Sequence, residues 1–110
     1  MGATKTDHFT KRQNEIANLM KALSHPARVA IIDHLLKVAA CVCGDIVAEL
    51  PLAQPTVSQH LKELKNAGLI KGDIEGNSVC YCINEKTFAK FEALLQPIFG
   101  KVKAKASSCC

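Results

Sequence analysis

The apolar positions of this chain recur at the spacing of amphipathic helices over most of its length. A first helix, with Asp7 as a candidate N-cap, is predicted by an apolar stripe at i, i+3, i+4 and i+7 that comprises Ile16, Leu19, Met20 and Leu23. A second helix begins at Pro26, whose missing N–H costs nothing in a first turn, and ends near Ala39. Its predicted buried side comprises Val29, Ile32 and Leu36.

Two shorter helical segments follow, with a tight turn between them. Residues 45–50 predict a third helix, and residues 51–53 predict a three-residue turn. A fourth helix is predicted over residues 54–67; Gly68 ends it, and its inner stripe comprises Val57, Leu61 and Leu64. Two helices joined in this way, the second with small and amide side chains on its outer face, are typical of a helix-turn-helix that binds DNA.

Strand-like alternation replaces the helical spacing after Gly68. Residues 69–71 begin a strand, Gly76 and Asn77 form a hairpin turn, and residues 78–83 alternate between apolar and other side chains on a return strand. A last helix, capped by Asn84, carries a broad apolar face that comprises Phe88, Phe91, Leu94, Leu95, Ile98 and Phe99. The predicted fold is mainly α with a small β-hairpin, a winged helix-turn-helix with the order α-α-α-α-β-β-α.

Length and composition limit what else the chain can contain. Its 110 residues, 48% of them apolar, suffice for one domain, predicted at residues 1–100, and a flexible basic tail at residues 101–110. The 14 Lys and Arg against 10 Asp and Glu permit nucleic-acid binding without requiring it. No apolar run approaches the roughly 20 residues of a membrane span, and no signal peptide is recognisable, so we expect a cytoplasmic protein without a membrane partner.

Apolar surface remains on the first and last helices after one small core is built. A symmetric homodimer would bury such a self-complementary surface, and closure of the monomer's own core is the alternative. No nucleophile, base and orienting group stand in a recognisable arrangement, so no enzymatic activity and no obligatory cofactor are expected.

Three motifs, in this order, resemble the ArsR/SmtB family of metal- and arsenic-responsive repressors. They are Leu-Ser-His-Pro-Ala-Arg at residues 23–28, Cys-Val-Cys at residues 41–43, and Gln-Pro-Thr-Val-Ser-Gln-His-Leu-Lys at residues 54–62. The resemblance covers residues 16–95 and implies a dimer that binds an inverted-repeat operator in double-stranded DNA. It also implies that an inducer releases the dimer from that operator.

Matching positions assign the DNA-binding residues. The resemblance directs Gln54, Ser58 and Gln59 toward the major groove, and these residues also lie off the apolar stripe of the fourth helix. Thr56 can offer a methyl group to thymine, and Lys62 suits a phosphate. In the wing, Lys71 and Asn77 are the candidates, although Asp73 and Glu75 offset the positive charge there. His34 and His60 are expected to be packing residues, and Arg28 to make intramolecular bonds.

The six cysteines stand in pairs, and in the cytosol we expect reduced thiols and not a disulfide framework. Cys41 and Cys43 resemble the family's site for arsenite, antimonite or another soft thiophilic metal ion. Residues i and i+2 share a face only in extended chain, so binding should distort the segment before the third helix. A third thiolate is expected from Cys109 or Cys110 of the tail.

For Cys80 and Cys82, and for the signal that releases the repressor from DNA, the sequence leaves alternatives open. Packing in the wing is favoured for Cys80 and Cys82, over a role as ligands or a structural zinc site shared with Cys41 and Cys43. The same repressor could respond to cysteine oxidation or persulfidation. A thiol-rich metal-binding interaction module that does not bind DNA is a third hypothesis.

Overall fold

The computed structural model describes residues 8–38, 42–43, 54–73 and 80–105. Within these ranges the elements are α1 (Lys11–Ala22), α2 (Pro26–Val38), β1 (Val42–Cys43), α3 (Gln54–Asn66), β2 (Ile70–Asp73), β3 (Cys80–Ile83) and α4 (Glu85–Lys105). The helix predicted at residues 45–50 and the wing turn at Gly76 and Asn77 lie outside them. The helix predicted at residues 54–67 is therefore α3.

The N-cap of α1 is Thr10, so the prediction of Asp7 as the cap is wrong. The hydroxyl of Thr10 accepts from the backbone N–H of Gln13 at 3.0 Å, and the Gln13 side chain accepts from the Thr10 N–H at 3.0 Å. This reciprocal capping box satisfies two N–H groups that the first turn would otherwise leave without partners.

The helices and the sheet enclose one apolar core. It comprises Leu19, Ala22, Ile31, Ile32, Leu35, Val57, Leu61, Leu64, Leu69, Ile70, Tyr81 and Phe91. The stripe predicted for α2 is wrong at two of three positions, because Val29 is 45% exposed and Leu36 61% exposed, while Ile31 and Leu35 are buried. Apolar residues surround most of α2, so periodicity alone cannot select the side that packs.

Three antiparallel strands form the sheet, in the order β1-β3-β2. β1 adds a strand to the predicted hairpin and makes β3 the central strand. Tyr81 of β3 is 1% exposed, which places its side of the sheet against the core. Cys80 and Cys82 flank it in sequence and therefore lie on the opposite side.

Two glycines have positive φ: Gly68 lies shortly before β2, and Gly72 lies within it. Gly68 has φ 83°, and beside it the N–H of Leu69 donates to the carbonyl of Leu64 at 3.0 Å, which confirms Gly68 as the residue that ends α3. Gly72 has φ 122°, and a Cβ there would overlap the carbonyl oxygen of Cys80 and lie 2.9 Å from the Cα of Tyr81. Only glycine allows β2 to approach β3 so closely.

The last helix is longer than predicted. Its first hydrogen bond joins the N–H of Phe88 to the carbonyl of Asn84, and it continues through Pro97 and Gly100 to Lys105. Residues 101–105, expected in the tail, are helical in this structure. Lysine and alanine are good helix formers, which accounts for the extension past Gly100.

A polar cluster of Arg28, His25 and His60 joins the start of α2 to the inner side of α3. The Arg28 Nε donates to His60 Nδ1 at 3.0 Å, and its Nη1 donates to the carbonyl of Ala22 at 3.1 Å. The rings of His25 and His60 lie 4.4 Å apart between centroids. Arg28 thus makes intramolecular bonds and His60 is a buried packing residue, as expected from the sequence.

The cluster lowers the pKa of His60. Burial is the largest cause, because a buried imidazolium loses hydration, and the neighbouring His25 and Arg28 also oppose its charge while Glu63 favours it. Since His60 Nδ1 accepts from Arg28, protonation of that nitrogen would also break the hydrogen bond between α2 and α3.

We expect Gly72→Ala to lower the free energy of unfolding by about 1 to 3 kcal/mol, because the methyl group meets backbone atoms that cannot move aside. Chemical denaturation measures this change. Gly100→Ala is the control; its Cβ meets nothing within 4 Å, and we expect it to stabilise α4 by about 0.5 to 1 kcal/mol. A Gly72→Ala protein as stable as the parent would contradict the close approach of β2 and β3.

We expect acidification below about pH 6.5 to destabilise the fold through His60. The unfolded chain takes up the proton near the ordinary pKa of 6.5, whereas the folded protein resists it, so stability rises with pH in this window and levels off above it. Denaturation between pH 5 and 8 measures the slope. His60→Gln, which keeps an acceptor for Arg28, should flatten it. His34→Gln is the control and should retain the slope, because the His60 site stays intact.

Candidate nucleic-acid interface

One side of α3 is buried in the core and the other carries the predicted DNA-binding side chains. Val57, Leu61 and Leu64 are at most 5% exposed. On the remaining surface Thr56, Gln59 and Lys62 are exposed, and Ser58 is half-buried at the edge. Gln54 is the first residue of the helix. The structure therefore brings Thr56, Ser58, Gln59 and Lys62 onto one polar strip, which we call the outer strip of α3.

Glu63 is a member of this surface that the sequence analysis missed. The Gln59 Nε2 donates to Glu63 Oε2 at 3.1 Å, one helical turn away. The bond uses one of two N–H donors of the amide and leaves the other, with the amide oxygen, for a further partner. The i, i+4 spacing of Gln and Glu was the available signal, since such pairs meet on a helix surface.

The wing presents a paired and not a free cation. Lys71 Nζ lies 3.5 Å from Glu85 Oε1, and both side chains are exposed. The pKa of Glu85 is lowered, first by its own backbone N–H at the start of α4 and then by Lys71. A phosphate that binds Lys71 must compete with this carboxylate. Asn77 lies outside the described residues.

Some of the cysteine positions lie within the described residues and others lie outside them. Position 43 on β1 pairs with position 80 on β3, while Cys41, Cys109 and Cys110 lie outside the described residues. Cys80 and Cys82 are half-buried and disulfide-bonded, which differs from the expected reduced side chains that pack in the wing. Strand alternation indicated the hairpin but not β1, whose pairing with β3 brings position 43 beside position 80.

The helices α1 and α4 contact each other and leave an apolar surface exposed. Arg12 Nη2 donates to the carbonyl of Leu94 at 3.1 Å, and Lys90 Nζ lies 2.7 Å from Glu15 Oε2. Beyond this contact a groove of about 460 Å³ follows α4, lined by Phe88, Phe91, Glu92, Leu95, Gln96 and Phe99. Phe99 is 60% exposed and Val102 62% exposed. The surface on which the dimer was predicted is therefore present.

Neither a cluster of metal ligands nor a membrane-spanning helix is present among the described residues. In these ranges no three side chains among His, Cys, Asp and Glu converge in a way that could hold a metal ion. The helices of the described part of the chain include none long and apolar enough to cross a membrane.

Known proteins resemble this chain in sequence and in fold. The family model for the bacterial regulatory protein, arsR family, matches residues 25–71. A biofilm growth-associated repressor of Xylella fastidiosa is 34% identical over 93 residues, 84% of this chain and 81% of that protein. The transcriptional repressor SmtB of Mycobacterium tuberculosis is 44% identical over 63 residues, 57% of this chain and 46% of that protein.

A solved structure confirms the predicted fold class. An ArsR-like transcriptional regulator from Rhodococcus sp. RHA1 superposes with a TM-score of 0.69 at 20% identity, over 90% of this chain and 92% of that one. The predicted winged helix-turn-helix is thus confirmed. The chain belongs to the ArsR/SmtB family of transcriptional repressors, a DNA-binding family without enzymatic activity.

Proposed function

We propose that this repressor binds an inverted-repeat operator as a homodimer, through the outer strip of α3, and leaves it when a soft thiophilic ion such as arsenite or antimonite binds its cysteines. The observation that carries the proposal is that one side of α3 is buried in the core while the opposite side is exposed. Its inner stripe is anchored in the core, so the polar side chains opposite are held outward on a rigid element.

The outer strip has the chemistry of base and phosphate recognition. A glutamine amide can pair with adenine through two hydrogen bonds, and the methyl of Thr56 can contact thymine. Ser58 can bond a base or a phosphate, and Gln54 begins the helix at the end that enters the groove. Lys62 supplies positive charge one turn from Ser58. Lys71 and Asn77 are the proposed wing contacts, with Lys71 weakened by Glu85.

The dimer is proposed on the apolar surface of α1 and α4. Exposed side chains on or beside these helices include Phe9, Met20, Ile98, Phe99 and Val102. Monomeric soluble proteins rarely expose large contiguous apolar surfaces, and a twofold interface buries such a surface against its own copy. Two copies would then present two α3 helices to two half-sites.

The inducer is proposed to bind Cys41 and Cys43, because trivalent arsenic and antimony prefer thiolates. β1 precedes α3 in the chain and pairs with β3, so a change at these thiols acts on the neighbours of the DNA-binding elements. A third thiolate from Cys109 or Cys110 has a short reach, since α4 continues to Lys105. The five residues that follow it can extend only about 17 Å.

A second signal is favoured by the disulfides of Cys80 and Cys82. In this alternative, oxidation or persulfidation of cysteines replaces ion binding and changes the same sheet. Band-shift titrations of reduced protein on DNA from upstream of its own gene distinguish the two signals. Release by arsenite supports the first; release by a mild oxidant or persulfide donor, with no effect of arsenite, supports the second. No binding at any salt concentration down to about 50 mM would reject operator binding and favour the interaction module.

We expect Gln59→Ala to weaken binding to the specific operator by about 1 to 3 kcal/mol and to reduce discrimination against altered sites. Lys62→Ala should instead weaken binding to all sequences alike and reduce the slope of log K against log salt by about 1. Lys103→Ala, which removes an exposed lysine in the last turn of α4, is the control. An unchanged specificity ratio in Gln59→Ala would exclude a base contact.

We expect Cys41→Ser combined with Cys43→Ser to retain operator binding and to lose release by arsenite, because the ligands and not the DNA-binding surface are removed. Band shifts with and without arsenite measure both properties. A variant that loses DNA binding while it stays folded would show that the pair has a structural role.

A further inference from the structure

Glu63 binds the side-chain amide of Gln59 at the outer strip of α3. The Gln59 Nε2 donates to Glu63 Oε2 at 3.1 Å, one turn further along the helix. Gln59 is exposed, whereas Glu63 is half-buried, and the neighbouring Leu64 is 0% exposed. The carboxylate therefore stands on a part of the backbone that the core holds in place, and it can restrain the more exposed amide.

The surroundings of Glu63 contain positive charge that does not pair with it. Glu63 lines a polar cavity of about 510 Å³ between α1, α2 and α3, together with Lys21 and Arg28. Among the residues that the structure describes, no ion pair joins Glu63 to either cation, and Arg28 directs two of its donors to other partners. Within this part of the chain, the Gln59 amide is the hydrogen-bond partner of the carboxylate.

The hydrogen bond fixes which end of the Gln59 amide faces which way. A carboxylate accepts hydrogen bonds and cannot donate them, so it binds the NH₂ end of the amide and not the carbonyl oxygen. The terminal torsion of a free glutamine side chain is broad and roughly twofold, so its oxygen and nitrogen readily exchange places. Bound to Glu63, the amide instead presents one N–H donor and one oxygen acceptor in a fixed order.

A donor and an acceptor in fixed order match one purine in the major groove. Adenine offers the acceptor N7 and the N6 amino donor, whereas guanine offers two acceptors, N7 and O6. The oriented amide satisfies adenine with both of its groups, but at guanine its oxygen would face another acceptor. The negative charge of Glu63 adds a second effect, because it opposes acceptor-rich base edges and the phosphates of any DNA sequence.

We propose that Glu63 is a positioning residue for base recognition, which orients the Gln59 amide so that the outer strip of α3 selects adenine over guanine. The inference rests on the proposed base contact of Gln59, and it names both the base and the residue that sets the choice. The carboxylate has two separable effects: its hydrogen bond raises discrimination between the purines, and its charge lowers affinity for DNA of every sequence.

Band shifts of the full chain test the two effects separately. Single base-pair changes across each half-site first locate the position at which Gln59→Ala loses discrimination, and A·T is replaced there by G·C. We expect Glu63→Ala to reduce discrimination between these two sites about threefold or more and to strengthen binding to unrelated DNA about twofold or more. Glu63→Gln lacks the charge but keeps an oxygen that can accept from Gln59, so it should bind unrelated DNA more tightly and retain most of the discrimination.

The control is Asp33→Asn, which removes the same charge from an exposed position on α2 and should leave discrimination unchanged. Parent-like discrimination in Glu63→Ala, with a loss in Gln59→Ala, would overturn this inference and leave the proposed function standing. An equal loss in Glu63→Gln and Glu63→Ala would overturn it as well, because an uncharged acceptor would then not position the amide. Parent-like discrimination in Gln59→Ala would reject the base contact and this inference together.

Nuclear magnetic resonance of the full chain without DNA tests the hydrogen bond by itself. The order parameter of the Gln59 side-chain NH₂ group should fall in Glu63→Ala and be retained in Glu63→Gln. The side-chain amide of Gln13, which takes part in the capping box of α1, is the internal reference and should not change. An order parameter of Gln59 that is as low in the parent chain as in Glu63→Ala would overturn the positioning role, even if the repressor binds its operator.

Discussion

Burial of the inner stripe of α3 is the interaction on which the rest of the structure depends. Val57, Leu61 and Leu64 enter the same core as Ile31 and Leu35 of α2. Full burial of such a side chain stabilises the fold by about 1.5 to 3 kcal/mol, so a rotation of α3 that exposed the stripe would be strongly unfavourable. The orientation of the outer strip thus follows from apolar packing on the opposite side. The hydrogen bond from Arg28 to His60 adds a directional contact to this packing, because it requires one position of α3 relative to α2.

The sheet, like α3, has one side packed against the core and one side that faces away from it. Tyr81 fills the core from the central strand, and this leaves the positions of Cys80 and Cys82 on the other side. Gly72 lets β2 approach closely enough for the register to hold, and that register sets which residues of β1 and β2 lie beside the cysteines. The packing of Tyr81 therefore determines the side of the sheet on which Cys80 and Cys82 lie.

Strong local signals made α3 and the hairpin predictable from the sequence. The stripe of α3 has polar residues on both sides of it and a glycine at its end, so periodicity and stop signal agree. In α2 apolar residues lie on most sides, and only tertiary packing selects Ile31 and Leu35 over Val29 and Leu36. β1 is two residues long, and its pairing with β3 bridges distant parts of the chain, so no local pattern could indicate it. The relation between Cys43 and Cys80 was hidden for that reason, although each Cys-X-Cys pair was plain in the sequence.

The same long-range pairing offers a physical route between an inducer and the operator. Coupling between two sites requires an element whose state both sites affect, and it typically amounts to about 1 to 3 kcal/mol. β3 meets this requirement, since it pairs with β1 on one edge and with the first wing strand on the other. A dimer must fit two half-sites at a fixed spacing, so a small shift of the wing or of α3 in each copy would reduce the fit at both. Under the proposed function, a bond or ligand that shifts β3 would therefore alter operator affinity without any contact to DNA.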